Sequence, residues 1–109
     1  MNYSFDGFLL DLDARTLAFG NHRVSLTPKA FHTLSVLVRN YGKVVEKEQF
    51  LREVWPDAFV EESTLAQNIL TLRKALGRFN SEKKFIVTVP RRGYQFVGEV
   101  LGPLPARSR

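Results

Sequence analysis

Apolar residues recur along this chain at two different periods, and the change of period divides it. Residues 5–26 favour strands: "FLLDL" and "TLAF" are short apolar runs separated by the turn-prone "DLDAR". "TLAF" then meets "HRVSL" across Gly20-Asn21, a two-residue hairpin loop. Val24 and Leu26 alternate with Arg23 and Ser25, so one face is buried and the other wet. From residue 27 the period becomes helical. Thr27 is a good N-cap and Pro28 suits the first helical position. Phe31, Leu34, Leu37, Val38 and Tyr41 form one stripe, and Gly42 marks the end. A second, short helix falls in "EKEQFLREVWPD", with Phe50, Leu51, Val54 and Trp55 inward and Pro56 as the stop. A third spans Ser63–Arg78, with Ser63 as its cap and Leu65, Ile69, Leu72 and Leu76 in a narrow apolar arc. Two β-prone runs, "FIVTV" and "YQFVGEV", then flank Pro90-Arg91-Arg92-Gly93, with Gly93 expected to permit the turn. Tyr94 and Phe96 turn inward. Residues 1–98 thus form one domain. Residues 99–109, "EVLGPLPARSR", read as a tail or the start of a linker.

Composition excludes several chemistries. The 109 residues contain no cysteine, which removes disulfides, thiolate metal sites and Cys nucleophiles. His22 and His32 lie on different elements, without a nearby triad or metal-ligand spacing. No glycine motif for cradling phosphate occurs. An enzyme is therefore a poor reading, and no cofactor, metal or small-molecule substrate is expected. No apolar run approaches the roughly 20 residues needed to span a bilayer. The opening "MNYSFDGF" has no basic n-region. A cytoplasmic location is expected, with membrane anchoring if a sensor follows the tail.

Charge changes the picture more. Residues 1–62 carry seven Lys/Arg against nine Asp/Glu, whereas residues 63–109 carry nine against two. Such asymmetry points to an anionic partner. Within the third helix no acid follows Glu62. Its outer face carries Ser63, Gln67, Thr71, Lys74 and Arg78, with Thr64, Asn68 and Leu70 at the margins. Amides, hydroxyls and cations are the groups that read base edges and phosphates. Thr64, Gln67, Asn68 and Thr71 are the candidate base readers. Arg73, Lys74, Arg91 and Arg92 are the candidate phosphate and minor-groove contacts. If four to six phosphates are neutralised, log K should fall against log salt with a slope of about −4 to −5. Two short helices leading to a polar, basic third one are a helix-turn-helix arrangement. The fold class is α+β: an N-terminal antiparallel sheet, three helices and a C-terminal hairpin wing.

Four blocks, "LTPKAFHTLSVLV", "VVEKEQFLREVW", "VEESTLAQNILTLRKALG" and "TVPRRGYQF", together resemble the OmpR/PhoB-type winged-helix effector domain of bacterial transcriptional regulators. The "TVPRRGY" form resembles the CadC/ToxR-like branch most, in which this domain is N-terminal, and Met1 directly before the first strand fits that order. The resemblance implies a four-stranded N-terminal sheet. It implies a third helix in the major groove of double-stranded DNA and a wing, with Tyr94 at its base, in the adjacent minor groove. It also implies that residues 55–62 can meet RNA polymerase, and that two copies bind tandem half-sites head to tail. Trp55 matches a position that supports a phosphate contact and also packs the core. Arg73 and Lys74 match a basic pair that meets the backbone. This chain departs from the pattern at Leu70 and Thr71, where arginines are common, and at Gln95. It departs again at Glu46, which replaces a Ser or Thr cap of the second helix. The rival reading is a protein-interaction winged helix that contacts RNA polymerase or an acidic partner.

Overall fold

The computed structural model describes residues 1–105. It begins with four antiparallel strands: β1 Asn2–Phe5, β2 Phe8–Asp11, β3 Thr16–Phe19 and β4 His22–Val24. The β1–β2 turn is Asp6-Gly7, both at positive φ (45° and 89°), as a tight Asp-Gly hairpin requires. Helix α1, Pro28–Arg39, follows, then β5 Val44–Glu46, α2 Lys47–Val54 and α3 Glu62–Gly77. The chain closes with β6 Ile86–Val89, β7 Gly93–Phe96 and β8 Leu101–Leu104. Two sheets result, in the orders β4-β3-β2-β1-β8 and β5-β7-β6.

The expected α+β winged helix-turn-helix is present, with two strands beyond expectation. Val44–Glu46 pairs with β7 and gives the wing a third strand. Leu101–Leu104 pairs with β1, so the segment expected to be linker adds a fifth strand to the first sheet. The rest of that segment, residues 106–109, lies outside the described residues.

Helix α1 occupies the centre. The Thr27 hydroxyl accepts from the Ala30 N–H at 3.1 Å, which is the expected N-cap. The helix ends at Arg39, so Tyr41 lies past it and is exposed rather than part of the stripe. Burial extends nearly all round this helix and includes Thr33 and Ser35. Their hydroxyls donate to the Lys29 and Phe31 carbonyls one turn back, at 2.8 and 2.9 Å, so neither is left without a partner. Helix α3 buries Leu65, Ile69, Leu72 and Leu76, as the periodicity predicts. Its cap is Glu61 rather than Ser63, and Ser63 sits inside the first turn.

Six phenylalanines join the two sheets. Phe5 on β1 packs against Phe8, Phe85 and Phe96, with ring centroids 5.2, 5.6 and 5.0 Å away. Phe8 continues the cluster to Phe19 and Phe79. Phe96 belongs to the wing, so this cluster fixes the wing to the N-terminal sheet. Such aromatic pairs add about 0.5–1.5 kcal/mol each beyond area burial. Replacing Phe5 by Ala is expected to lower unfolding free energy by about 3–5 kcal/mol in urea denaturation. A loss below about 1 kcal/mol would contradict its central place.

Candidate nucleic-acid interface

Burial of the α3 stripe turns the opposite face outward. Thr64, Gln67, Thr71 and Lys74 are exposed on it. Ser63, Thr64, Gln67, Asn68 and Thr71 line a shallow, open concavity. The Thr71 hydroxyl donates to the Gln67 carbonyl at 3.1 Å, and the residue is exposed. Leu70 is half exposed beside them.

Asn68 is placed differently. Its amide donates to the Lys29 carbonyl at 3.2 Å and to the Thr33 hydroxyl at 2.8 Å. It therefore ties α3 to the start of α1. The same contact brings forward a residue that sequence patterning missed. Lys29 is exposed, donates to the Val54 carbonyl at 2.7 Å and sits 5.9 Å from the Trp55 ring. Its ammonium thus lies at the end of α2, while its carbonyl meets Asn68 of α3. One signal was available: a lysine in the first turn of α1, with no acid there, opposes the helix dipole. His32 is one turn further along. Burial first, then Arg15, Arg39 and Lys29, lower its pKa below the ordinary 6.5.

The wing lies alongside, held by two arginines. Arg73 Nε and Nη2 donate to the Ile86 carbonyl at 3.3 and 3.1 Å, and Nη2 also to the Thr88 hydroxyl at 2.9 Å. Arg73 thus bridges α3 to β6. Arg92 Nε and Nη2 donate to Glu46 Oε2 at 3.1 and 2.7 Å. Arg92 thus bridges the wing to the β5–α2 junction. Both were expected among the DNA contacts, and both have protein partners here.

The tip itself is Val89-Pro90-Arg91-Arg92, closed by the Arg92 N–H donating to the Val89 carbonyl at 3.0 Å. Arg91 takes the positive φ of this turn (69°), a place usually held by Gly or Asn. Gly93 was expected to supply it. Instead Gly93 opens β7, where a Cβ would overlap the Val45 carbonyl oxygen. Only glycine lets β7 approach β5 so closely. Arg91 is exposed, and no side-chain hydrogen bond or ion pair holds it among the described residues. Tyr94 is buried edge-on to Phe50, 5.9 Å between centroids, and Trp55 is buried at the end of α2. Both were expected among the DNA contacts, and both are packed into the core.

An outward polar helix free of acids along that face, beside an arginine-tipped hairpin, defines a winged-helix DNA-binding domain. Comparison with known proteins agrees. A family model described as "Transcriptional regulatory protein, C terminal" matches residues 21–96, and the chain belongs to that family. Over 94 residues it is 35% identical to the transcriptional regulator HilA of Salmonella typhi; the match covers 86% of this chain and 17% of HilA. Its fold matches the DNA-binding domain of E. coli CadC with a TM-score of 0.82 at 23% identity, covering 92% and 94% of the two chains. It matches the Klebsiella pneumoniae RstA DNA-binding domain, solved in complex with the RstA box, with a TM-score of 0.75 at 26% identity, covering 88% and 96%. The function of this domain is DNA binding for transcription regulation. No helix among the described residues is long and apolar enough to cross a membrane.

Asn68→Ala removes two hydrogen bonds between α3 and α1. It is expected to destabilise the fold by about 1–3 kcal/mol, read by thermal or chemical denaturation. An unchanged midpoint would show that the amide is not committed to α1.

Proposed function

We propose that this domain reads duplex DNA through α3 in the major groove and Arg91 in the adjacent minor groove. The observation that carries this is the open Thr64–Gln67–Thr71 face of α3, set beside a tip whose left-handed residue is an arginine. Gln67 is the principal base reader, since its amide both donates and accepts. Thr64 and Thr71 contribute hydroxyls, and Leu70 meets a thymine methyl. Lys74 and Lys29 supply phosphate contacts. Asn68, Arg73, Arg92, Tyr94 and Trp55 act as supports that hold α1, α3 and the wing in register. Two copies on tandem half-sites would supply the affinity a single short helix lacks.

Loop 55–62 has a separate role. Phe59 is fully exposed there, between Asp57 and Glu61. An isolated surface aromatic among acids supports a protein contact, and RNA polymerase is the partner proposed for it.

Selection of bound duplexes from a random pool, with a salt titration, tests the reading. Repeated half-sites should be enriched. With Arg92 paired to Glu46, three to four phosphates are neutralised per copy, and log K should fall with log salt at a slope of about −3 to −4. Gln67→Ala should cost about 1–3 kcal/mol on the enriched site and little on random DNA. Equal loss on both would remove Gln67 as a base reader.

The wing gives an opposed pair of effects. A non-glycine residue at positive φ stores about 1 kcal/mol of strain. Arg91→Gly is expected to raise unfolding free energy by up to about 1 kcal/mol while weakening duplex binding. A variant that is more stable and binds equally well would show that the strain serves no contact with DNA.

A further inference from the structure

Glu46 occupies the N-cap of α2, yet its side chain makes no capping bond. Residues at this place ordinarily bond the backbone of the first turn. The Glu46 carboxylate instead takes both the Nε and Nη2 hydrogens of Arg92. The two residues are joined through the backbone as well. Glu46 lies opposite Gly93 in the β5–β7 ladder, and the Lys47 N–H donates to the Arg92 carbonyl at 2.9 Å. The pair is about half exposed at each partner, with side-chain accessibilities of 58% and 51%. A pair that exposed contributes little to stability. Its consequence lies in where the two charges are.

Arg92 is the last residue of the wing tip, directly after Arg91. A guanidinium held by a carboxylate does not release counterions from a phosphate. A free one would strengthen binding to every duplex equally, since phosphates carry no sequence. Lys47, the next residue, is held in the same way by Glu62 at the start of α3, Nζ to Oε1 3.0 Å. Two cations on the α2 edge of the interface are thus neutralised from within the protein. Arg91 and Lys74 have no such acid among the described residues.

We infer that Glu46 is a specificity-determining residue: by holding Arg92 it keeps that cation off the phosphates and fixes the wing tip so that Arg91 alone enters the minor groove. This rests on the reading of the domain as a two-groove DNA binder. It makes Glu46 and Arg92 positioning residues rather than DNA contacts. Removing the acid should therefore raise affinity for every duplex through the freed Arg92, and should lower discrimination because an unfixed tip no longer holds Arg91 to the shape of the minor groove, whereas the loss of a contact lowers affinity.

The test is a salt titration on the selected site and on random duplex for Glu46→Gln, Arg92→Ala and the double variant. Glu46→Gln is expected to steepen the salt slope by about one unit, to raise random-duplex affinity several-fold at low salt, and to lower the ratio of specific to random binding. Arg92→Ala should leave the slope at the parent value and lower the ratio. The double variant should return the slope to the parent value. If the double variant stays as steep as Glu46→Gln, the acid acts only through its field, which overturns the inference. A slope shallower by about one unit in Arg92→Ala, with none gained in Glu46→Gln, would also overturn it, because Arg92 would then be a phosphate contact. An NMR readout of the Arg92 Nε–H in the free protein separates the two levels. It should shift in Glu46→Gln. A shift there without any duplex binding by the parent would overturn the reading of function while leaving the pair intact. No shift would overturn the pair itself.

Discussion

The rotation of α3 about its own axis decides what this domain presents to a partner, and four buried side chains set it. Leu65, Ile69, Leu72 and Leu76 lie at helical spacing and are almost fully buried. Burial of side chains this large is worth roughly 1.5–3 kcal/mol each. No other rotation of the helix recovers it, because no other face carries four large apolar side chains. Gln67 and Thr71 are therefore exposed as a consequence of hydrophobic burial. Asn68 refines the setting: its two hydrogen bonds to α1 hold the middle of the helix against Lys29 and Thr33.

The wing depends on the same framework at longer range. Phe96 anchors β7 in the phenylalanine cluster, and Gly93 permits the close approach of β7 to β5. Arg73 spans from α3 to the Ile86 carbonyl, and Arg92 from the wing to Glu46. Helix and wing are thus connected by directional bonds as well as by apolar contact. Two-groove recognition requires a fixed separation between helix and tip, since a shift of about 1 Å is enough to weaken a directed contact. Arg73 and Arg92, which have the composition of DNA contacts, make the bonds that tie the wing to its neighbours.

Local signals were legible in the sequence, and long-range pairings were not. The helices followed from apolar spacing, and the Thr27 cap and the Pro56 stop from side-chain chemistry at a single site. The hairpin at Pro90–Gly93 was legible from its turn residues. Which of them takes positive φ was not: Gly93 is claimed by the Val45 carbonyl, so the conformation falls on Arg91. Strands β5 and β8 escaped notice because each is defined by a partner distant in sequence rather than by a neighbouring hairpin. Gly102 and Pro103 further mask β8. The same limit applied to the site. Asn68, Arg73 and Arg92 have the composition of DNA contacts, and only folding shows that their partners are 35, 13 and 46 residues away. Lys29 was missed for the converse reason: it belongs to another helix and reaches α3 only in three dimensions.

The chain has no cysteine, so a single one can be introduced and labelled without interference. The most direct measurement is DNA cleavage by an iron–EDTA group attached at Ser63→Cys on α3 or at Pro90→Cys on the wing, on one selected site. Two discrete cleavage centres are expected, one in the major groove and one in the adjacent minor groove, half a helical turn (~5 base pairs) apart. Coincident centres, or even cleavage along the whole duplex from both labels, would contradict it.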